Sequence, residues 1–560
     1  MGVLLPSTVT VDRATGADAP LAVVRRSAPL PVHLLGAGLL LCALVLMPGS
    51  LGGAEQFALP KELVLSLSAF AALVVCLQTY RPVALDAADL SLALFVGISL
   101  ASAMVAAENG WLAARALGLT AGGAAVFWAA RSAAREGGSG AGVAWVAVIL
   151  PAAAVGGLLE AYGATYGLSV AGRGPGGTLG NRNILAHLLA LGLPAYLLCV
   201  ARARERRAFA LLLLGLVPVT TALTLTRCRA AWLAAGVMLA VFAATRWAVA
   251  RSGAGEPMER GRAALLALGV IVGISLAVVL PNRLDWVSRS PYLDTVRQVV
   301  DHRTGSGRAR LVQYGNTLQM VRANPLLGVG PGNWAVQYPR YAPVDSPVGT
   351  EPPGPVNRLP SSDWVGIAAE SGLPALLVLM LGGLLLGRAA WRRCMEGEFD
   401  AGAALLCTLV AVAVLGSVDN VLARPAPAFM AWLALGVLAP AAVPGTRPWR
   451  LVASRLAAGI AVGLLGVALA VPAVGRLYAR HLYETAGYDV ERMERAARVN
   501  PGDYEARLHL AFQWTQMREC DRARPHVEAA RRLYPHNLEA QRLLLACRLS
   551  EPSAHEGRSP

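Results

Sequence analysis

The sequence predicts an all-α polytopic membrane protein of about twelve to thirteen transmembrane helices, with one large outer loop and a helical repeat near the C-terminus. Three observations predict it. Of 560 residues, 55% are hydrophobic and 15% are charged, against about 25% charged in an ordinary soluble domain. The mean hydropathy is +0.50, with the excess in long blocks and not in amphipathic stripes. Only after residue 474 does charge rise and the long blocks stop. This composition excludes intrinsic disorder and a soluble enzyme.

Crossing about 30 Å of hydrocarbon takes roughly 20 apolar residues. Such runs lie near 33–51, 62–80, 87–106, 112–130, 142–160, 184–201, 208–224, 230–246, 263–281, 364–387, 401–418, 425–443 and 453–474, with 87–106 and 401–418 the weakest. The first is not read as a cleaved signal peptide, because Met47-Pro48-Gly49-Ser50 makes a poor small-residue cleavage site.

The formal charge of +15 is almost wholly arginine, Lys61 being the single lysine. Much of it falls in short loops between apolar runs, which reads as topology and not as a nucleic-acid partner. With the N-terminus inside, the inner loops hold Arg25, Arg26, Arg81, Arg131, Arg135, Arg202, Arg204, Arg206, Arg207, Arg246, Arg251, Arg260 and Arg262. Arg388, Arg392, Arg393, Arg447 and Arg450 complete the set. The opposite short loops are poor in arginine and carry acids such as Glu55 and Glu108. An odd number of spans then puts the tail outside. Eight cysteines include no CxxC pair. Cys42, Cys76, Cys199 and Cys407 sit in apolar runs as core fillers, and Cys520 with Cys547 is the candidate disulfide.

The expected organisation is a cytoplasmic N-terminal tail (1–31), a multi-span domain (32–474) with an outer loop over 282–363, a repeat domain (475–550) and a disordered end (551–560). A second outer segment runs from about Glu160 to Asn183, and long ordered loops are uncommon unless functional. In the tail, an offset of 34 aligns Arg498 with Arg532, Pro501 with Pro535, Asp503 with Asn537, Glu505 with Glu539, Ala506 with Ala540 and Leu510 with Leu544. This period resembles the tetratricopeptide repeat. It implies a groove for a protein partner or, alternatively, a capped bundle packed on the membrane domain, since so short a solenoid needs a neighbour.

Chemistry is concentrated in the outer segments. Gly177-Thr178-Leu179-Gly180-Asn181-Arg182-Asn183 precedes an apolar run. Its glycines let backbone amides approach a ligand, and Asn181 and Asn183 can bond sugar hydroxyls or phosphate oxygens. The same pattern also describes a glycine turn with an asparagine helix cap. Thr226-Arg227-Cys228-Arg229-Ala230-Ala231-Trp232 puts two arginines in a short outer turn, against the inside rule. They suit clamping of a phosphate, or snorkelling to lipid headgroups. The large loop carries Gly307-Arg308-Ala309-Arg310-Leu311-Val312-Gln313-Tyr314, then Asn324-Pro325-Leu326-Leu327-Gly328-Val329-Gly330-Pro331-Gly332-Asn333-Trp334. It ends in Ser361-Ser362-Asp363-Trp364, leading to Glu370-Ser371-Gly372-Leu373-Pro374. His187 reads as a packed interior residue. Glu370 and Asp419 are ionisable at or near membrane depth, where function is the default, although a cap or a pair such as Asp419 with Arg424 also accounts for them.

In this order, the motifs resemble the O-antigen ligase and polymerase superfamily of membrane glycosyltransferases over roughly residues 30 to 440. Arg229 falls at the position of that family's turn arginine, and Arg310 is the closer match to its large-loop arginine. The family usually carries a histidine just before the span at 364–387, where this chain has Ser361. Serine cannot activate a hydroxyl unaided, so Asp363, or His302 from elsewhere in the loop, is a candidate base.

The resemblance implies a donor glycan on a polyprenyl pyrophosphate and an acceptor hydroxyl on a glycolipid, glycan or protein. The reaction would take place at the periplasmic face of a bacterial inner membrane. Arg229, Arg310 and Asp363 would be catalytic, with Arg227, Arg308, Asn181 and Asn183 binding the donor. The outer loops hold no DxD, HExxH or Cys/His ligand cluster, so transfer without metal or cofactor is expected. The rivals are a lipid-linked glycan transporter, which would show two related halves, and a non-catalytic assembly scaffold built on the tail.

Overall fold

A computed structural model of the chain describes residues 29–46, 55–80, 84–163, 174–252, 260–284, 286, 290–300, 305–342, 359–440, 449–450 and 454–550. Arg25, Arg26, Arg81, His302, Arg447 and the 551–560 stretch lie outside the described residues, as do the side chains of Glu55, Arg260, Arg450, Leu544 and Cys547.

The described chain is helical almost throughout. In order come α1 (Leu30–Leu44), α2 (Glu55–Thr79), α3 (Ala87–Ala106), α4 (Gly110–Ala133), α5 (Ser139–Ala161), α6 (Arg182–Arg202), α7 (Arg206–Leu225), α8 (Arg229–Arg251) and α9 (Arg260–Val279). The large loop holds α10 (Pro291–Val300), α11 (Gly305–Ala323) and α12 (Trp334–Gln337). Then follow α13 (Asp363–Met395), α14 (Phe399–Val418), α15 (Pro425–Leu438) and α16 (Arg455–Glu484). The tail is α17 (Val490–Val499), α18 (Tyr504–Gln516), α19 (Cys520–Leu533) and α20 (Leu538–Ser550).

Ten stretches are long and apolar enough to cross a membrane. One of them, Gly110–Ala161, joins α4 to α5 through non-helical backbone at Glu136 and Gly137, and α1 and α15 are shorter apolar helices. The helices α1–α9 and α13–α16 thus answer the expected apolar runs one for one, the two weakest included. The chain is a polytopic α-helical membrane protein. Its core centres on α6 and α15, which pack against α4, α5 and α14. Several bounds differ from expectation, two of them most. α13 continues to Met395, and α16 runs unbroken through residue 474 to Glu484.

Asp86 and Asp89 form a capping box at the start of α3. They also receive Arg131, which is 1% exposed, at 2.5 and 2.8 Å, and Asp89 receives Arg135 at 3.0 Å. Two of the arginines counted as topological charge are therefore neutralised inside the protein, as a buried charge requires. Near them, Ala84–Leu85 pairs antiparallel with Trp449–Arg450.

The long helix α13 is broken near its start. Gly372 has φ 87° and ψ 166°, which a side chain would oppose, and Pro374 follows. The break leaves backbone groups without helical partners, and the large loop supplies them. Val329 N donates to Ala369 O and Gly330 N to Glu370 O, both at 2.9 Å, and Leu373 N donates to Pro325 O at 2.8 Å. Ser102 Oγ donates to the Leu327 and Glu370 carbonyls at 2.5 and 2.8 Å. Irregular backbone at membrane depth persists only where protein covers it in this way.

The tail is a run of antiparallel helices. Asp503 caps α18, and at the aligned position Asn537 accepts from Glu539 N at 2.9 Å, so the 34-residue offset relates two helix starts. Tyr504, Val527, Leu533 and Tyr534 share one apolar core with Met320, Val329, Trp334 and Ala369 of the loop and α13. Tail and large loop therefore lie on the same face of the membrane domain. Cys520 is disulfide-bonded, whereas Cys42, Cys76, Cys199, Cys228, Cys394 and Cys407 are free.

Candidate functional site

Three segments far apart in sequence converge at the loop face: the turn between α7 and α8, helix α11, and the turn after α14. Asp419 joins them. Its Oδ2 lies 3.6 Å from His187 Nε2 on α6 and 3.9 Å from a guanidinium nitrogen of Arg310 on α11. His187 is 2% exposed, and its Nε2 is also 3.8 Å from Cys228 Sγ. Burial pushes the Cys228 thiol up to about 11, so it stays neutral. One turn beyond Arg310, Tyr314 donates to the carbonyls of Ser361 and Ser417 at 3.1 and 3.0 Å. Gln313 accepts from Ser361 N at 2.6 Å. Helix α11 is thereby fixed against the start of α13 and the end of α14.

Arg229, the first residue of α8, interacts electrostatically with Arg310 and with Arg182 at the start of α6. Arg227 turns elsewhere. Its backbone takes φ 51°, its Nε donates to Thr295 of α10 at 2.9 Å, and its guanidinium sits 5.3 Å above the Trp286 ring. Burial, and then the Arg182 charge, hold its guanidinium below the ordinary value. Arg308 is exposed on α11, whereas Arg310 is half-buried and faces Asp419. A separation of two residues puts them on different sides of a helix.

The glycine-asparagine segment is satisfied from within. Glu160 accepts from Gly176 N and Gly177 N at 2.7 and 2.5 Å. Asn181 caps α6 by accepting from Asn183 N at 2.8 Å, and Thr178 donates to Ala43 O at 2.6 Å. Gly180, at φ 70°, leaves no room for a side chain against the Phe57 ring. Both asparagines are half-buried in the first turn of α6, next to Arg182.

Asp363 lies apart from the arginines. It is 5% exposed, and both its carboxylate oxygens accept backbone amides, from Val421 at 2.8 Å and from Leu422 at 3.1 and 3.2 Å. It shapes the turn that carries Asp419 and Asn420. Asn420 completes that turn, donating to Pro360 O at 2.8 Å and accepting from Arg424 Nε at 3.3 Å. Glu370 likewise accepts from Trp334 N at 3.2 Å, which ties the large loop to α13. Ser361 meets α11 through its backbone.

Sequence reasoning passed over Arg182 and Tyr314. Arg182 had the signal used for Arg227 and Arg229, a cation on the arginine-poor side. Tyr314 stands four residues from Arg310, on the same helical face.

No curated protein matches the chain. A family model described as O-antigen ligase matches residues 210–380, from α7 to the first half of α13. That stretch contains the Arg227–Arg229 turn, all of α10–α12, and the α13 break. Over residues 210–380 the chain is therefore similar to the O-antigen ligase family, and the turn and α11 both fall inside that stretch.

Proposed function

We propose that the chain is an envelope polysaccharide ligase or polymerase. It transfers a glycan from a polyprenyl-pyrophosphate donor to an acceptor hydroxyl at the outer face of the bacterial inner membrane. The observation that carries this reading is the grouping of Arg229 with Arg310 and Arg182, and of Arg310 with the Asp419 carboxylate, within or beside the matched stretch. Clustered guanidiniums repel one another unless an anion lies between them, and a pyrophosphate is the anion this chemistry releases. The outer location is supported by the Cys520 disulfide on the tail, since such bonds persist in oxidising compartments, and by the core that tail and loop share.

In the transfer, the acceptor oxygen attacks the anomeric carbon from the face opposite the leaving group. The bond from that carbon to the pyrophosphate oxygen breaks, and its electron pair stays on the phosphate. Arg229 and Arg310 neutralise the charge that develops there, a preorganised stabilisation worth several kcal/mol in a site shielded from water. Because guanidiniums carry this charge, the transfer proceeds without a metal. The hydroxyl proton passes to Asp419, whose Oδ2 also faces His187. Asp363 is a positioning residue that holds the Asp419 turn, Asn181 and Asn183 shape the α6 start beside Arg182, and Arg227 and Arg308 would meet the donor only away from the Arg229–Arg310 group.

Replacing Arg229 with alanine tests the reading. The variant should insert normally yet give no product from purified protein and a lipid-linked donor; full activity sinks the assignment. The glycan of a deletion strain separates the two reactions: loss of long chains marks a polymerase, and free unligated polymer marks a ligase. Ser361 in place of the expected histidine favours one second reading, a catalytically silent scaffold, for which the wild-type chain would form no product in the same assay.

A further inference from the structure

A second charged site lies away from the arginine cluster, in a crevice between α2, α4 and α16. Its rim is Glu62, Arg115 and Arg476, and its deeper wall includes Leu119, Ala468 and Leu469. Arg115 grips the Glu62 carboxylate at 2.6 to 3.1 Å, and Arg476 reaches the same carboxylate at 3.5 Å. All three rim residues lie within a few turns of helix ends on the face that carries the tail. α4 starts at Gly110, beside Trp111, which packs on Gly502 of the tail, and α16 ends at Glu484, leading into it.

The crevice is graded along α16. From Arg476 back to Ala468 is about 12 Å along α16 at the helical rise, and the lining changes over that length from guanidinium to aliphatic. The helix α16 stands at the edge of the bundle, since Leu464, Val467, Val471 and Val474 on its other sides are at least half exposed. A crevice beside an edge helix, with two guanidiniums against one carboxylate above and aliphatic side chains below, has a net positive mouth and an apolar wall, the polarity of an amphiphile with a phosphate head.

We propose that this crevice binds the phosphate of an anionic phospholipid of the same leaflet, with the phosphate between Arg115 and Arg476 and one acyl chain along Leu119 and Leu469. It stands on helices outside the matched family domain, and the lipid would act by holding α16, and through it the tail, against α2 and α4.

The test uses the purified full-length chain in detergent, with bound lipid read by native mass spectrometry. Phosphatidylglycerol should be retained and phosphatidylcholine, whose choline carries an opposing charge, should be retained less. Arg476→Gln should weaken phosphatidylglycerol retention about tenfold, as loss of one charge-assisted contact does. Leu469→Trp keeps every charge and fills the apolar wall, so it should also weaken retention. Undiminished retention by both variants overturns the site and leaves the rim as an ion-pair tether only. Equally strong competition by free glycerol 3-phosphate overturns the lipid in favour of a small-anion site. Transfer activity is not the readout, so failure here is distinguishable from failure of the proposed function.

Discussion

Asn109, in the turn between α3 and α4, donates its side-chain amide to the Leu533 carbonyl at 3.0 Å while its backbone N–H donates to Asn333 Oδ1 at 2.7 Å. One residue thus joins the membrane domain, the large loop and the tail. Its side-chain oxygen also caps α4 through Trp111 N and Leu112 N. Asn109→Ala should cost about 1–3 kcal/mol, the range for a lost cap plus an orphaned buried group. Limited proteolysis of the full chain should then cut α17–α20 faster than in wild type. Unchanged cleavage would mean that the shared apolar core holds the tail unaided.

The two aspartates separate by what each holds. Asp363→Ala leaves the Val421 and Leu422 amides unsatisfied in a buried turn, so it should lower stability by about 1–3 kcal/mol per orphaned group. Asp419→Asn retains shape and should leave the unfolding midpoint in place while abolishing transfer. Thermal unfolding alongside the transfer assay distinguishes them. A fully active Asp419→Asn variant removes that residue from the proton path.

Gly372→Ala places a side chain at φ 87° and ψ 166°, where its Cβ would collide with the Leu326 carbonyl oxygen. Backbone strain alone is worth about 1–3 kcal/mol. The loop strand from Pro325 to Gly330 should detach from α13, seen as faster amide exchange at Val329 and Gly330.

The tail should weaken in acid. Burial holds His509 and His526 below the ordinary histidine value of 6.5, and the Arg507 charge adds to the effect at His526. Folding therefore favours the neutral rings. Their contribution is complete above pH 6.5 and is lost as pH falls from there through the lowered folded values. Amide exchange in α18 and α19 of the full chain, corrected for intrinsic rates, should show less protection at pH 5.5 than at 7.5. The drop should be smaller in His526→Gln.

The spans were legible in the sequence because a bilayer imposes length and polarity on each of them independently. The 34-residue offset in the tail was legible for a similar reason: a repeated cap, Asp503 with Asn537, is a local signal. What was hidden depends on pairing across the chain. Asp363 and Asp419 look alike as acids near span ends, and only the partner amides of Val421 and Leu422 tell a turn-holding carboxylate from one facing Arg310. Likewise Gly328-Val329-Gly330 is marked in the sequence only as part of a loop motif, and its amides go to the carbonyls of Ala369 and Glu370. The sequence motif marks the contact but not its recipient.

The apolar core shared by Trp334 and Leu533 also sets an order of biogenesis. About 200 residues separate the two halves, or about 10–40 s of synthesis at ordinary elongation rates. For that interval the loop and α13 have been made, but the apolar core around Trp334 lacks the tail residues that complete it. On the proposed orientation, the covering helices must then be exported through the membrane after the last span. A chain cut short before residue 504 would leave this surface exposed to envelope chaperones and proteases, so early truncations should be cleared from the cell before any defect in transfer could be measured.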